Sequence, residues 1–289
     1  MKILLIGKTG QLGSDILRNN NKHEICAPDR SELDLNNSIA TSDFIKEVKP
    51  KIVINTAAFH NVLLCEKEYD QAFRINCLAV RDLACICKEM GSWLVTFSSD
   101  YVFNGKKMSA YLEDDIPSPL QIYGITRAAG EFAAMSTAPQ NTVIIRTCGL
   151  YGISGAKSKG GNFVDKRIND AKINKRLEIS CEQIVSPTYT QDLSLAVLSL
   201  IENPKLECGI YHLVNEGSCS WFDFTKAIYG IMGMEVELTA VDRHGLDSGM
   251  RRPLYSALAN AKAKRMGIVL PHWEDAIKRY LQEKYLFPD

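Results

Sequence analysis

Short apolar runs alternate with polar, helix-like segments through the first half of the chain. Residues 2–6, 52–55, 93–97 and 142–146 are mostly apolar runs of strand length, which is typical of strands covered on both faces in a parallel sheet. Shorter strands are expected at residues 24–27 and 209–213. Because strand and helix alternate regularly, the pattern predicts an α/β fold with a doubly wound parallel sheet and right-handed crossovers.

The alternation becomes irregular after Tyr151, which predicts a second, smaller lobe. We expect residues 1–150 to form the sheet domain and residues 151–289 to form mainly the C-terminal lobe. A helix expected at residues 191–203, followed by the strand at 209–213, predicts that residues 184–215 return to the sheet. Residues 157–161 are expected to form a flexible basic loop.

Composition excludes several classes of protein. The 289 residues are 46% hydrophobic and 24% charged, as in ordinary globular proteins, and 34 basic residues balance 34 acidic ones, so no nucleic-acid partner is indicated. No apolar run approaches the ~20 residues of a membrane span. The nine cysteines include no Cys-x-x-Cys pair, and the five histidines lack ligand spacing. We therefore expect a cytoplasmic protein with free thiols and no metal.

A glycine motif directly follows the first predicted strand and opens a helix. Its residues are Gly7, Lys8, Thr9, Gly10, Gln11, Leu12 and Gly13. Glycines at such a turn let the backbone approach a pyrophosphate at the helix N-terminus. The spacing Gly-x-x-Gly-x-x-Gly is weak evidence alone, because three glycines can simply mark a tight turn. The strand before it and the helix after it favour a Rossmann-like dinucleotide-binding domain, with all of these residues except Lys8 predicted to contact the cofactor.

The second strand leads into a pair of opposite charges, Asp29 and Arg30. An acidic residue here would accept hydrogen bonds from the adenosine ribose of NADH, whereas an arginine would favour the 2′-phosphate of NADPH. Both are present, so the sequence leaves the choice between NADPH and NADH open.

Three residues form a candidate catalytic group. Ser99 ends the strand that begins at residue 93, while Tyr123 and Arg127 lie four residues apart on a predicted helix and share one face. A cation near the phenol is expected to lower its pKa from ~10 toward a useful range. A lone Tyr-x-x-x-Arg is more often a surface helix pair. Its position after the glycine motif and the serine-ending strand favours catalysis.

These motifs resemble the extended short-chain dehydrogenase/reductases, and most closely the dTDP-4-dehydrorhamnose reductase family. The resemblance rests on Ser-Asp-Tyr-Val-Phe from Ser99, Tyr-Gly-x-x-cation-x-x-Gly-Glu from Tyr123, and Gly-Gln-Leu-Gly from Gly10, and it extends over essentially the whole chain. The chain departs from the family at Arg127 (lysine in the family), Leu63 (aspartate) and Gly149 (tryptophan).

The resemblance implies reduction of a 4-keto group on a nucleotide-activated deoxysugar by NADPH or NADH, as in dTDP-rhamnose biosynthesis. Tyr123 would donate the proton, Ser99 would polarise the carbonyl, and Arg127 would hold the nicotinamide ribose. Further cofactor contacts implied by the family are Asp34, Leu35, Ala57, Ala58, Phe59 and Asn76. The implied substrate-binding residues are Asp100, Tyr101, Asn162, Phe163, Gln183 and Arg252. A helix N-cap explains Asp34 equally well. The oligomeric state stays open, with a homodimer among the options.

Two alternatives remain on the sequence alone. One is a cofactor-binding regulatory or scaffold subunit without catalysis, which Arg127 favours. The other is a reductase or epimerase of a different nucleotide sugar. Leu63 and Gly149 favour either alternative over the strict family assignment, because the missing tryptophan removes an aromatic surface from the substrate side. The presence of both Ser99 and Tyr123 favours the reductase.

Overall fold

The computed structural model describes residues 1–155, 160–247 and 249–286, so residues 157–159 of the predicted basic loop lie outside the described residues. The strands are β1 (Lys2–Ile6), β2 (Glu24–Cys26), β3 (Ile52–Asn55), β4 (Trp93–Ser99), β5 (Thr142–Thr147), β6 (Leu150–Tyr151), β7 (Arg176–Ser180), β8 (Ile184–Val185), β9 (Thr188–Tyr189), β10 (Gly209–His212), β11 (Cys219–Ser220), β12 (Glu237–Val241), β13 (Leu246–Asp247) and β14 (Met250–Arg251). The α-helices are α1 (Gln11–Asn19), α2 (Ser38–Val48), α3 (Val62–Lys67), α4 (Tyr69–Phe73), α5 (Ala79–Met90), α6 (Ile122–Thr137), α7 (Phe163–Ile173), α8 (Thr190–Glu202), α9 (Trp221–Met232), α10 (Ala261–Arg265) and α11 (Trp273–Leu281).

Six strands form one parallel sheet in the order β10-β5-β4-β3-β1-β2. The chain leaves β1 toward one edge and then returns to the other side of β1, as a doubly wound sheet requires. The predicted fold class is confirmed, and the strands expected at residues 24–27, 52–55, 142–146 and 209–213 are each found within one residue of the expected bounds.

Helices cover both faces of this sheet, which explains why its central strands are mostly apolar. In β1, Ile3 and Leu5 pack in a cluster with residues of α1 and α8. The intervening Leu4 and Ile6 pack on the other face, in a cluster with residues of α2, α5 and α6. Alternate side chains of one strand therefore enter two different cores, so neither set tolerates polar residues.

A third cluster of buried residues lies in the C-terminal half of the chain. It joins α7, α9 and α11 and contains Tyr151, Phe224, Trp273 and Tyr280. β10 reaches back from this half to the edge of the parallel sheet, and α8 packs against α1. The division of the chain into residues 1–150 and 151–289 stays a prediction.

Two further observations concern the described part of the chain. Within residues 1–155, 160–247 and 249–286, no helix has the length and apolar character to cross a membrane, and no cluster of side chains is suited to hold a metal ion. All nine cysteines are free thiols.

Candidate active site

A groove of about 960 Å³ opens at the carboxyl ends of β1 and β3, where the strand order reverses. We call it the switch-point groove. Its wall includes Gly7, which follows β1, and Thr56, which follows β3. Gly7 has φ +92°, and a Cβ there would lie 2.6 Å from Thr56 Oγ1. Only glycine allows β1 to turn this close to its neighbouring strand.

The turn from β1 into α1 fits a pyrophosphate. Gly10 is the N-cap of α1 and has no side chain to occupy the first backbone N–H groups of the helix, which leaves them available to an anion. A Cβ at Gly13 would collide with the carbonyl oxygen of Gly7, whereas one at Gly10 would lie 3.4 Å from that oxygen. Gly13 therefore permits close packing of α1 on the turn. Gly10 places no side chain over the exposed N–H groups at the start of α1.

The other end of the switch-point groove carries opposite charges. Lys8, which the sequence analysis did not assign, lies with its Nζ 3.2 Å from Asp29 Oδ2. Arg30 is 79% exposed, with its Nε 4.0 Å from Asp34. Asp29 is therefore partly neutralised by a lysine from the glycine motif itself. The spacing of the glycines sets no requirement on that position, so the motif carried no signal for this contact.

Asp34 and Leu35 line the switch-point groove together with the predicted Ala57, Ala58 and Phe59. Asp34 Oδ1 accepts the backbone N–H of Asn36 at 3.0 Å. The N-cap of α2 is Asn37, whose side chain accepts the N–H of Ala40. The explanation of Asp34 as a helix cap is therefore wrong.

A second groove of about 660 Å³, which we call the tyrosine groove, contains Ser99, Tyr123 and Arg127. It shares wall residues with the switch-point groove, namely Thr9, Gly10, Thr56, Ala58 and His60, so the two grooves adjoin. Ser99 is the last residue of β4, and Tyr123 lies in the first turn of α6, whose N-cap is Gln121. The structure thus brings the three predicted catalytic residues together.

Ser99 is held by its neighbours along the chain. Its hydroxyl donates to Asp100 Oδ1 at 2.8 Å and accepts the N–H of Tyr101 at 3.2 Å. The other carboxylate oxygen of Asp100 accepts the hydroxyl of Ser256 at 2.6 Å. Burial raises the pKa of Asp100, although these hydrogen bonds oppose the rise. Asp100 lines the groove, and its hydrogen bond to the hydroxyl positions Ser99. Its contact with substrate stays a prediction.

The phenol of Tyr123 has a raised pKa. Burial is the largest cause, and the charge of Arg127 and a hydrogen bond with Ser99 act in the opposite direction. Arg127 acts in the predicted direction, but the expectation of a lowered pKa is wrong, because desolvation of the phenolate outweighs the nearby cation. The phenol therefore stays protonated at neutral pH.

Arg127 is buried, and its guanidinium points toward the scaffold. It donates to the backbone carbonyl of Phe97 and to Asn76 Oδ1, the latter at 3.5 Å. Asn76 lies in a π-helical turn, Arg74–Leu78, between α4 and α5. The amide of Asn76 also accepts the backbone N–H of Phe59 and donates to the backbone carbonyl of Phe59, at 2.9 Å each. Asn76 is 1% exposed, so it supports the wall from behind and is not the direct cofactor contact that the family resemblance implied.

The predicted substrate residues separate into two sets. Tyr101, Phe163 and Arg252 line the tyrosine groove. Arg252 donates to the hydroxyl of Tyr101 at 2.6 Å, and burial raises the pKa of Tyr101 to about 12 against the effect of that arginine.

Asn162 and Gln183 form the second set, which is less open to a substrate. Asn162 lines the tyrosine groove, but its side chain caps α7 by accepting the N–H of Asp165 and donates to Gly152 O and Tyr280 Oη. The oxygen and the N–H groups of the Asn162 amide therefore already have hydrogen-bond partners within the fold. Gln183 is buried and lies outside the walls of both grooves.

Other residues line the tyrosine groove that the sequence analysis did not assign to it. Among them are three with large or ionisable side chains, His60, Lys166 and Trp221. Lys166 follows Phe163 by one helical turn, which places it on the same face of α7. The described residues that line this groove carry three positive side chains and one carboxylate. The positive side chains are Arg127, Lys166 and Arg252, and the carboxylate is that of Asp100. The helical spacing from Phe163 was the available signal for Lys166, whereas Trp221 comes from a distant part of the chain.

Comparison with known proteins assigns the family. Residues 1–286 match the family described as the RmlD substrate binding domain. The chain belongs to this family. The spore coat polysaccharide biosynthesis protein SpsK of Bacillus subtilis is 36% identical over 285 residues, which is 98% of each chain.

Two further members of the family are named for their activity. The dTDP-4-dehydrorhamnose reductase of Salmonella typhimurium is 30% identical, over 99% of this chain and 98% of its own. The structure of dTDP-4-dehydrorhamnose reductase of Bacillus anthracis in complex with NADP superposes with a TM-score of 0.91 at 33% identity, covering 98% of this chain and 99% of that one. The predicted family, the oxidoreductase class and the nicotinamide cofactor are thereby confirmed, while the roles of single residues stay predictions.

Proposed function

We propose that this protein reduces the 4-keto group of a nucleotide-activated deoxysugar with NADPH or NADH, as its relatives' names indicate for them. The observation that carries this proposal is the convergence of Ser99, Tyr123 and Arg127 in the tyrosine groove, which adjoins the glycine turn of the switch-point groove. A protein that only binds a dinucleotide has no need of a serine and a tyrosine hydroxyl together in the adjoining groove.

The dinucleotide would be held by Gly7, Gly10 and the N-terminus of α1, and it supplies the hydride that reduces the keto carbon. The raised pKa of Tyr123 keeps its phenol protonated at neutral pH, so Tyr123 holds the proton that the forming alkoxide requires. Ser99 now donates to Asp100, and rotation about its Cβ–Oγ bond turns the same proton toward a keto oxygen. Arg127 places a positive charge near the phenolate that results.

The charge of the tyrosine groove supports a nucleotide diphosphate as part of the substrate. Lys166 and Arg252 line the groove on the side contributed by the C-terminal half of the chain. A diphosphate carries negative charge and many acceptor oxygens, for which lysine and arginine are the usual partners.

The test is substrate-dependent oxidation of NADPH and of NADH with a panel of nucleotide-activated 4-keto sugars. We expect oxidation with at least one deoxysugar nucleotide, with the hydroxylated product identified by mass spectrometry. The panel also distinguishes this reaction from one on a different nucleotide sugar.

A second candidate is a cofactor-binding subunit without catalysis. It is favoured by the orientation of Arg127, whose guanidinium donates to the carbonyl of Phe97. In that case NADPH still raises the melting temperature by mass action, but no member of the panel supports cofactor oxidation.

A further inference from the structure

Gly149 leaves a gap in the wall of the tyrosine groove, and a tryptophan from another element fills it. Gly149 follows β5 with φ +55°. A Cβ built on it would lie 3.3 Å from Trp221 Cη2 and 3.2 Å from the Cα of Pro187. The tip of the indole therefore lies against the bare backbone of Gly149, and a larger residue at position 149 would have to displace either the ring or the chain at Pro187.

Trp221 is held firmly at this position. It is the first residue of α9, where the N-cap Ser220 accepts the N–H of Asp223 at 3.0 Å. Its carbonyl accepts the hydroxyl of Thr225 at 2.7 Å. The indole also packs on the ring of Phe163, with centroids 4.3 Å apart and an angle of 30° between the planes. A capped helix start and a neighbouring ring thus fix the orientation of the indole before any ligand binds.

The aromatic pair Phe163 and Trp221 is half-buried, and both residues line the same groove as Ser99 and Tyr123. Thr147, two residues before Gly149, pairs with Ser99 across β5 and β4. Trp221 therefore lies against the chain two residues beyond the strand end that pairs with Ser99. Lys166 follows Phe163 by one turn of α7. The wall consequently presents an apolar aromatic surface and a cation in the groove that holds Ser99 and Tyr123.

We propose that Trp221, supported by Phe163, is the surface on which the deoxysugar ring of the substrate packs, and that Gly149 is the space that admits the indole. The C–H groups of a sugar ring and the methyl group of a deoxysugar are apolar, and an aromatic face removes them from water. The inference rests on the proposed function for its substrate class. It adds that sugar binding depends on a tryptophan supplied by α9, and that the nucleobase binds elsewhere.

The first test uses fluorescence and does not require turnover. The chain has three tryptophans, so the double variant Trp93→Phe/Trp273→Phe leaves Trp221 as the only indole reporter. We expect dTDP-rhamnose to shift and quench its emission, and thymidine diphosphate alone to leave it nearly unchanged. An equal response to thymidine diphosphate would place the base on Trp221 and overturn the assignment to the sugar, as would no response to either ligand under conditions where calorimetry shows dTDP-rhamnose binding.

The second test measures KM and kcat for Trp221→Phe, Trp221→Ala and the control Trp273→Phe, which changes a buried tryptophan outside both grooves. Trp221→Ala should raise KM for the sugar nucleotide about tenfold without changing the Kd of NADPH, and Trp221→Phe should restore most of the loss. Unchanged KM in Trp221→Ala, with wild-type turnover intact, would refute the inference and leave the proposed function standing. Absence of turnover in the wild type would instead contradict the proposed function, and the fluorescence result would still decide the role of Trp221.

Discussion

Arg127 offers the most informative perturbation, because it is both buried and close to the candidate proton donor. Its guanidinium donates to the carbonyl of Phe97 and to Asn76 Oδ1, and its charge lowers the pKa of Tyr123 against the larger effect of burial. Three substitutions separate these contributions: Arg127→Lys keeps the charge, Arg127→Gln keeps a donor without charge, and Arg127→Ala removes both.

The expected magnitudes follow from these contacts. Arg127→Ala leaves the carbonyl of Phe97 without its side-chain donor, while Asn76 Oδ1 still accepts the N–H of Phe59. Loss of a buried hydrogen bond from a charged donor costs about 1.5–3 kcal/mol of unfolding free energy. Loss of the charge raises the pKa of Tyr123 further and removes support for its phenolate, so we expect turnover to fall ~10²-fold or more. Arg127→Lys should keep or raise turnover.

The assay is hydride transfer from NADPH to the nucleotide-4-keto sugar, with urea unfolding of each variant as the control for stability. Arg127→Gln should resemble Arg127→Ala in turnover and lie nearer the wild type in stability. Wild-type turnover in Arg127→Gln would show that the charge is not used, and the reasoning would fail. An inactive wild type together with an active Arg127→Lys variant would mean that the arginine has switched the site off, which supports the non-catalytic alternative.

Four further predictions concern single residues. Tyr123→Phe should lower turnover by ~10²–10⁴-fold and leave the Kd of NADPH unchanged; undiminished turnover would exclude Tyr123 as the proton donor. Gly10→Val should fold, since its Cβ has room, yet lose the rise in melting temperature that NADPH gives the wild type; a retained rise would contradict the pyrophosphate site. Lys8→Met should weaken NADPH binding by about five- to tenfold and NADH binding less, as calorimetry would measure; equal losses would show that Lys8 does not meet the 2′-phosphate. Burial and Arg146 lower the pKa of His212 to about 3, so below pH ~6.5 the unfolded state binds a proton that the folded state does not. The free energy of unfolding should therefore fall by about 2 kcal/mol on acidification from neutral pH to about pH 5. Urea titrations of the wild type and His212→Gln at neutral pH and at about pH 5 would reveal this fall, and an identical pH dependence in the two proteins would contradict it.

Only packing decided several assignments that the family resemblance implied. Asn162 occupies a familiar motif position, but its amide is consumed by the cap of α7 and by Tyr280, 118 residues away in sequence. Asn76 is turned behind the groove wall by a π-helical turn, where it holds Phe59 and Arg127. The cap of α7 has a local signature, because Asn162 stands three residues before Asp165 in a capping box. The contacts of Asn162 with Tyr280, and of Asn76 with Phe59 and Arg127, have none, because they depend on which distant groups are buried nearby.

The sequence by itself determined the parallel sheet, because strands buried on both faces are largely apolar. The runs of β1, β3, β4 and β5 show this pattern, apart from a few buried polar residues such as Arg146. It also determined the glycine turn and the convergence of Ser99 with Tyr123, since parallel strands end at one edge of the sheet and successive helices start there. The tertiary structure decided the direction of the pKa shift of Tyr123, the engagement of both oxygens of Asp100, and the placement of Trp221 against Gly149. Desolvation and side-chain contacts depend on neighbours contributed by many different helices and strands. Motif spacing reports only on residues that are close along the chain.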